Sequence, residues 1–295
     1  MLKAKNRLGL IFFPAFDWAI SPTHPERQER LLYTQDQLIE EGVFDIPGIK
    51  EYKPDLATIE DVERTHFCFP DVRSILTESH LVSAGGAIKA ARLVMEKRED
   101  RAFALVRPPG HHAETATPMG FCFFNNVAIA ARHAQKKHGA ERVAIIDFDV
   151  HHGNGTEAIF YDRADVLTVS IHAHPKRFYP FFWGYENETG RGAGEGFNLN
   201  IPMERGTLIK DYCTSLETAL LRVSDFKPDV LVLAAGLDIA VDDPFKGFAI
   251  ATPEFATIGK MIAQIRLPML VVQEGGYPSP SLGLNLASLL KGLGA

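Results

Sequence analysis

The sequence predicts an α/β fold, a mainly parallel multi-stranded sheet with helices on both faces. Two observations predict it. Short apolar runs rich in β-branched residues, at 102–106, 143–146, 166–171, 230–236 and 269–272, alternate with segments whose apolar residues recur at helical spacing. Most of these runs also end in titratable residues and glycines, as in open sheets that bind ligands at the carboxyl ends of their strands.

Taken in order, Leu8 to Phe13 reads as the first strand. The start, Met1 to Arg7, is basic, but the apolar run after it is short, contains Pro14 and ends at Asp17. No small-residue cleavage site follows, so a signal peptide is not expected. Glu26 to Glu41 is helical and stopped by Gly42. Asp45 to Ala57 reads as irregular. Helices at 86–97 and 126–137 precede the 102 and 143 strands, and Val166 to Ile171 is a further strand. Ala173 to Gly194 is again irregular. It carries Phe178, Tyr179, Phe181, Phe182, Trp183 and Tyr185, an aromatic density that suits core packing, a tunnel wall or an oligomer contact. Thr207 caps a helix whose Ile209, Cys213, Leu216, Leu220 and Val223 keep helical spacing. The 230 strand, a helix at 253–264, the 269 strand and a final helix at 284–293 complete the pattern, whose crossovers are right-handed.

The chain has 295 residues, 46% of them hydrophobic, with no repeat, linker or low-complexity stretch; one domain over 1–295 is expected. The net charge of -6 argues against a nucleic-acid partner while leaving cationic substrates open. No apolar run is long enough for a bilayer, so no membrane partner is expected. Cys68, Cys122 and Cys213 are odd in number and widely spaced. They fit a reducing compartment, with the cytoplasm as the expectation.

The densest chemistry is Asp147-Phe148-Asp149-Val150-His151-His152-Gly153-Asn154-Gly155-Thr156, directly after Val143 to Ile146. Alternation along a strand puts Asp147, Asp149 and His151 on one side. Carboxylate oxygen and imidazole nitrogen together suit a divalent metal, Zn²⁺ first. The plainer reading is a polar turn capping the next helix, but turns rarely need so many titratable groups. Arg107-Pro108-Pro109-Gly110-His111-His112 ends a second run, where Pro-Pro-Gly forces a rigid turn. Asp238 follows a third run, and Gln273-Glu274-Gly275-Gly276-Tyr277 a fourth. Singly, Asp238 could cap a helix and Tyr277 could be an interface aromatic. Together, four strand ends converge on one place.

In these motifs the chain resembles the histone deacetylase and acetylpolyamine amidohydrolase superfamily, with its arginase-like fold. The likeness runs from Thr23-His24-Pro25-Glu26-Arg27 to Gly275-Gly276-Tyr277. It is most specific in Arg107 to His112, in Gly120-Phe121-Cys122-Phe123-Phe124-Asn125-Asn126 and in Asp147 to Gly155. Glu114 to Met119 is more similar to the class II-like and bacterial branch. The resemblance implies Asp149, His151 and Asp238 as ligands of Zn²⁺, with Fe²⁺ also admitted. It implies His111 and His112 as tandem histidines, oriented by Asp147 and Asn154, although many relatives carry Asp at the latter position. His112 would be general base and Tyr277 the donor to the oxyanion. Gly120, Phe121, Tyr179 and Phe245 would bind substrate, with Phe121 and Tyr179 as tunnel walls. A structural K⁺ would sit on Asp147, Asp149, His151, Ser170 and Ile171, and a second site would involve Phe160, Val166 and Phe197, with Arg163 intruding.

The expected function is therefore a zinc-dependent amidohydrolase that removes acetyl groups from N-acetylated amines, with metal-bound water as nucleophile. The substrate is an acetyl-lysine side chain or a small acetylated amine. Acetylpolyamine hydrolysis in the same site is the alternative. Polyamine-selective relatives of the class II type carry Glu where this chain has Phe245, followed by Lys246, which weakens that alternative unless Glu51 or a second subunit supplies a carboxylate. Two other classes compete: a silent binding protein on this fold, and an arginase-like ureohydrolase with a binuclear manganese site. A homo-oligomer is left open.

Overall fold

A computed structural model describes residues 6–13, 23–67 and 78–294. Pro14, Asp17 and Cys68 lie outside the described residues. The chain folds around one eight-stranded sheet in the order β2-β1-β3-β8-β7-β4-β5-β6. The strands are β1 (Leu8–Phe12), β2 (Ile49–Tyr52), β3 (Arg101–Leu105), β4 (Val143–Asp147), β5 (Val166–Ala173), β6 (Asn198–Met203), β7 (Val230–Ala235) and β8 (Met269–Gln273). Every pairing is parallel, so all carboxyl ends lie along one edge. The helices are α1 (Glu29–Glu40), α2 (Ile59–Glu63), α3 (Glu78–Met95), α4 (Asn126–His138), α5 (Asn154–Phe160), α6 (Ile209–Phe226), α7 (Glu254–Ile262) and α8 (Leu282–Leu293).

The central strands are buried throughout because helices cover both faces, which is why they read as unbroken apolar runs. Alternation divides their side chains between two cores. Phe103, Leu105, Ala144, Ile146, Leu231 and Leu233 pack with α1, α6, α7 and α8. Ala102, Ala104, Val143, Ile145, Val230 and Val232 pack with the alanine-rich faces of α3 and α4.

The structure departs from the sequence expectation at the edges. The stretch at 45–57, read as irregular, contains β2, which pairs with β1 from Leu8↔Ile49 to Ile11↔Tyr52. Asn198 to Met203, given no element, forms β6 against β5. Both are edge strands with partly exposed residues, so neither shows an apolar run. The helix expected from Gly86 is already formed at Glu78, where the described residues resume, and Ser79, His80 and Ser83, polar yet buried, gave that stretch no apolar periodicity. The short α2, with Thr58 and Asp61 forming a capping box, had not been expected. Thr207 is not a helix cap. Its hydroxyl donates to the Glu204 carbonyl at 2.7 Å, and Leu208 occupies the cap position of α6. Among the described residues, Cys122 and Cys213 are free, and no helix is long and apolar enough to cross a membrane.

Candidate active site

The four motif-bearing strands, β3, β8, β7 and β4, are neighbours at the centre of the sheet. Parallel register brings their carboxyl ends together. Asp147 ends β4, and its alternation with Asp149 and His151 does not persist, because the strand stops there. Asp147 turns to His111, accepting from its Nδ1 at 2.8 Å. Asp149 and His151 instead meet Asp238, which follows β7.

Asp149, His151 and Asp238 are buried, with ligand atoms within 4.8 Å of one another. His151 Nδ1 lies 2.8 Å from Asp149 Oδ1 and 3.1 Å from Asp238 Oδ2. Burial disfavours a charged imidazole here, but the two carboxylates outweigh it and raise His151 to about 9. Two buried carboxylates on one point require positive charge beside them. A divalent ion meets that requirement, and one nitrogen with two oxygens is an acceptable donor set for Zn²⁺ or Fe²⁺. The chain also leaves room: a Cβ on Gly275 would lie 2.1 Å from Asp238 Oδ2 and 2.4 Å from Asp149 Oδ2, so only glycine fits against the cluster. The Gly275 N–H donates to Asp149 Oδ2 at 2.6 Å.

The two histidines after Pro-Pro-Gly sit side by side, ring centroids 4.0 Å apart. Their partners differ: His111 faces the Asp147 carboxylate, while His112 Nδ1 pairs with the Asn154 amide oxygen at 2.7 Å. Burial opposes charge on both. For His111 the Asp147 and Asp149 carboxylates win and raise it to about 10. For His112 burial is reinforced by the neighbouring His111 and His151, and its pKa falls well below the ordinary value. Burial also keeps the Tyr277 phenol protonated, raising its pKa well above the ordinary value. Burial and neighbouring charges thus shift the two histidines in opposite directions.

A cavity of about 520 Å³ opens onto this cluster, lined by His111, His112, His151 and Tyr277 at its floor. Gly120, Phe121, Tyr179 and Phe245, the expected substrate residues, all line it. Gly120 has φ 55° and its Cβ would strike the His112 ring at 2.4 Å, so the turn requires glycine. Phe245 stands edge-on to Tyr277 and His151, at 4.8 and 5.3 Å. Phe178 and Phe181, from the aromatic loop, also line the wall, as do Arg177 and Arg205. Glu51 does not line it; it is paired with Leu10 on β2, near the sheet edge.

A buried support network had no role in the sequence reading, although Glu26, Arg107 and Glu274 stood inside quoted motifs. Glu26 is fully buried and accepts from Arg107 Nε at 3.0 Å and Nη2 at 2.8 Å, and from Arg30 Nη1 at 3.1 Å. Arg30 in turn donates to the carbonyls of Gly276, at 2.7 Å, and of Glu274, and lies 4.7 Å over the Tyr277 ring. Glu274 Oε2 accepts from the Gly110 and His111 N–H groups at 2.7 and 3.0 Å. Asp243 holds the Tyr277 and Phe245 N–H groups at 3.0 and 2.9 Å. The signal available for these residues was a charged side chain next to a motif, without a periodicity to place it.

Of the residues expected around monovalent cations, Asp147 and Ser170 are register partners across β4 and β5, and Ile171 follows on β5. Ser170 Oγ pairs with His172 Nδ1 at 2.9 Å. Around the second expected site, the Phe160 carbonyl accepts from Arg163 N at 2.9 Å and the Phe197 carbonyl from Thr168 N at 3.0 Å. The Arg163 guanidinium is turned to Asp165, at 3.0 and 2.6 Å.

A family model described as histone deacetylase domain matches residues 71–293. The acetylpolyamine amidohydrolase of Mycoplana ramosa is 44% identical over 73% of this chain and 63% of its own length. A probable deacetylase of Archaeoglobus fulgidus is 39% identical over 90% of this chain and 82% of its own length. The crystal structure of the acetylpolyamine aminohydrolase from Burkholderia pseudomallei superposes with a TM-score of 0.83 at 32% identity, covering 98% of this chain and 99% of that one. The chain spans less than two thirds of the curated acetylpolyamine amidohydrolases it matches, 63% and 62% of their lengths.

Proposed function

The chain belongs to the histone deacetylase domain family, and from that premise we propose that it is a zinc-dependent deacetylase of N-acetylated amines. One observation carries the reading: an aromatic-walled cavity ends on His111, His112, Tyr277 and His151, and His151 is grouped with the buried Asp149 and Asp238 behind it. Asp149, His151 and Asp238 would hold a divalent ion, Zn²⁺ or Fe²⁺, which lowers the pKa of a water molecule and polarises an amide carbonyl.

The remaining steps belong to the chain's own groups. His112 gives its Nδ1–H to Asn154, leaving Nε2 free to accept a proton from water. Its low basicity keeps it neutral and ready as general base, and the same nitrogen then delivers the proton to the departing amine. His111, held protonated by Asp147, contributes positive charge beside the reacting carbonyl. The Tyr277 hydroxyl donates to the developing oxyanion. Phe121, Tyr179 and Phe178 bury the methylenes of the amine and exclude water. We read K⁺ on Asp147, Asp149, His151, Ser170 and Ile171 as structural, the domain as extending over 1–295, and the cytoplasm as the compartment.

The names of the relatives favour acetylpolyamines as a second substrate reading. Against it, Phe245 offers no charge to a second ammonium. A single group of three ligands among the described residues favours deacetylation over a binuclear ureohydrolase. The test is elemental analysis with activity. Purified protein should hold one catalytic divalent ion per chain, chelation should abolish hydrolysis of acetylated amines, and Asp238→Ala should lose the ion. Full metal retention in that variant would refute the ligand assignment.

A further inference from the structure

We propose that the site selects acetylated amines whose far end carries a carboxylate, N-acetylated amino acids in chemical class, and that Arg177 and Arg205 recognise it. The proposal rests on the deacetylase reading above and names the substrate within it.

The cavity lining combines apolar and aromatic walls with exactly these two permanent cations, and no carboxylate lines it among the described residues. The two arginines arrive from neighbouring strand ends. Arg177 follows β5 and Arg205 follows β6, whose last register pair is Ala173↔Met203. Arg205 is anchored: its Nε and Nη2 donate to the Lys246 carbonyl at 3.3 and 3.1 Å, and its guanidinium lies 5.6 Å from the Phe178 ring centroid. Those bonds use a neutral acceptor and leave the charge uncompensated. Neither arginine has an ion-pair partner among the described residues, unlike the exposed Arg7, Arg98 and Arg191, which each face a carboxylate.

The physical consequence follows from the sign of the charge. A polyamine tail would bring a second ammonium to a cavity lined by two guanidinium groups of the same sign, with no described carboxylate in the lining to offset the repulsion. A carboxylate is instead attracted by both guanidinium groups, whose planar N–H donors suit it. The aromatic walls accept the intervening methylenes of either molecule equally, so the tail charge decides.

The experiment uses the metal-loaded enzyme and three substrates of matched length: acetamidohexanoate, hexylacetamide and monoacetylcadaverine. They differ in tail charge, which is negative, absent and positive. The expected order of kcat/KM is anion, neutral, cation, with anion over cation by on the order of tenfold or more. Raising the salt to about 1 M should compress the order, since the guanidinium groups are exposed and screened. The Arg177→Glu, Arg205→Glu double variant, checked for an unchanged melting temperature, should invert it. A cation hydrolysed as well as the anion, or an order insensitive to both salt and the double variant, overturns the proposal while leaving the deacetylase reading intact. Failure of the enzyme to hydrolyse any of the three overturns both.

Discussion

Glu26→Gln isolates one charge at the base of the active site. The carboxylate is fully buried and shared by two arginines, through three hydrogen bonds of 2.8 to 3.1 Å. Glutamine keeps the shape and one acceptor oxygen but removes the negative charge, so Arg30 and Arg107 lose the carboxylate they share. Breaking a buried ion pair from one side costs about 3–5 kcal/mol, because the remaining charge stays desolvated. At roughly 2–4 °C per kcal/mol for a large domain, the melting temperature should fall by about 10 °C. The effect should also reach the chemistry. Arg30 holds the Glu274 and Gly276 carbonyls that set the backbone before Tyr277, so kcat should fall more than KM rises. Calorimetry and steady-state kinetics on the metal-loaded variant read the two effects. A melting temperature within about 2 °C of the parent would refute the assignment of Glu26 as the shared counter-charge.

Tyr277→Phe should fold and keep its metal while losing ~10²–10³-fold in kcat, the usual worth of one oxyanion donor, and His112→Ala should be at least as damaging; near-parental turnover in either would displace the proposed roles. Acid should destabilise the fold through His66, whose Nδ1–H donates to the Glu114 carbonyl and whose Nε2 accepts from Asn125 N–H. Burial lowers its pKa from 6.5 to about 4, so above 6.5 it is neutral folded and unfolded alike. Below that the unfolded chain takes up a proton the folded one refuses, and stability falls as pH drops from 6.5 toward 4. Denaturant titration should show roughly 2 kcal/mol of this loss between pH 7 and pH 5, absent in His66→Gln; equal slopes in the two proteins would exclude His66 as the cause.

The sequence alone determined the central sheet and the reactive cluster. Strands β3, β4, β7 and β8 are buried on both faces, so their apolar runs are continuous and stop sharply at Asp147, Asp238, Tyr277 and the Pro108-Pro109-Gly110 turn. A polar residue just past a buried parallel strand has one place to go, the shared carboxyl edge, and a list of strand ends is therefore already a list of neighbours. Only the tertiary structure decided the rest. The edge strands β2 and β6 bury part of their surface and carry no periodic signal, and Asn198 and Asn200 find their partners in Glu157 rather than in a core. Glu26 meets Arg107 across 81 positions and Arg30 meets Gly276 across 246, distances at which no local pattern survives. Arg177 and Arg205 look like ordinary solvated cations until the β5–β6 register sets their loops beside one cavity. Local chemistry is written in consecutive residues because backbone geometry fixes where they point. Counter-charges and cavity walls are written in the packing, because burial and electrostatics act between whichever groups the fold brings into contact.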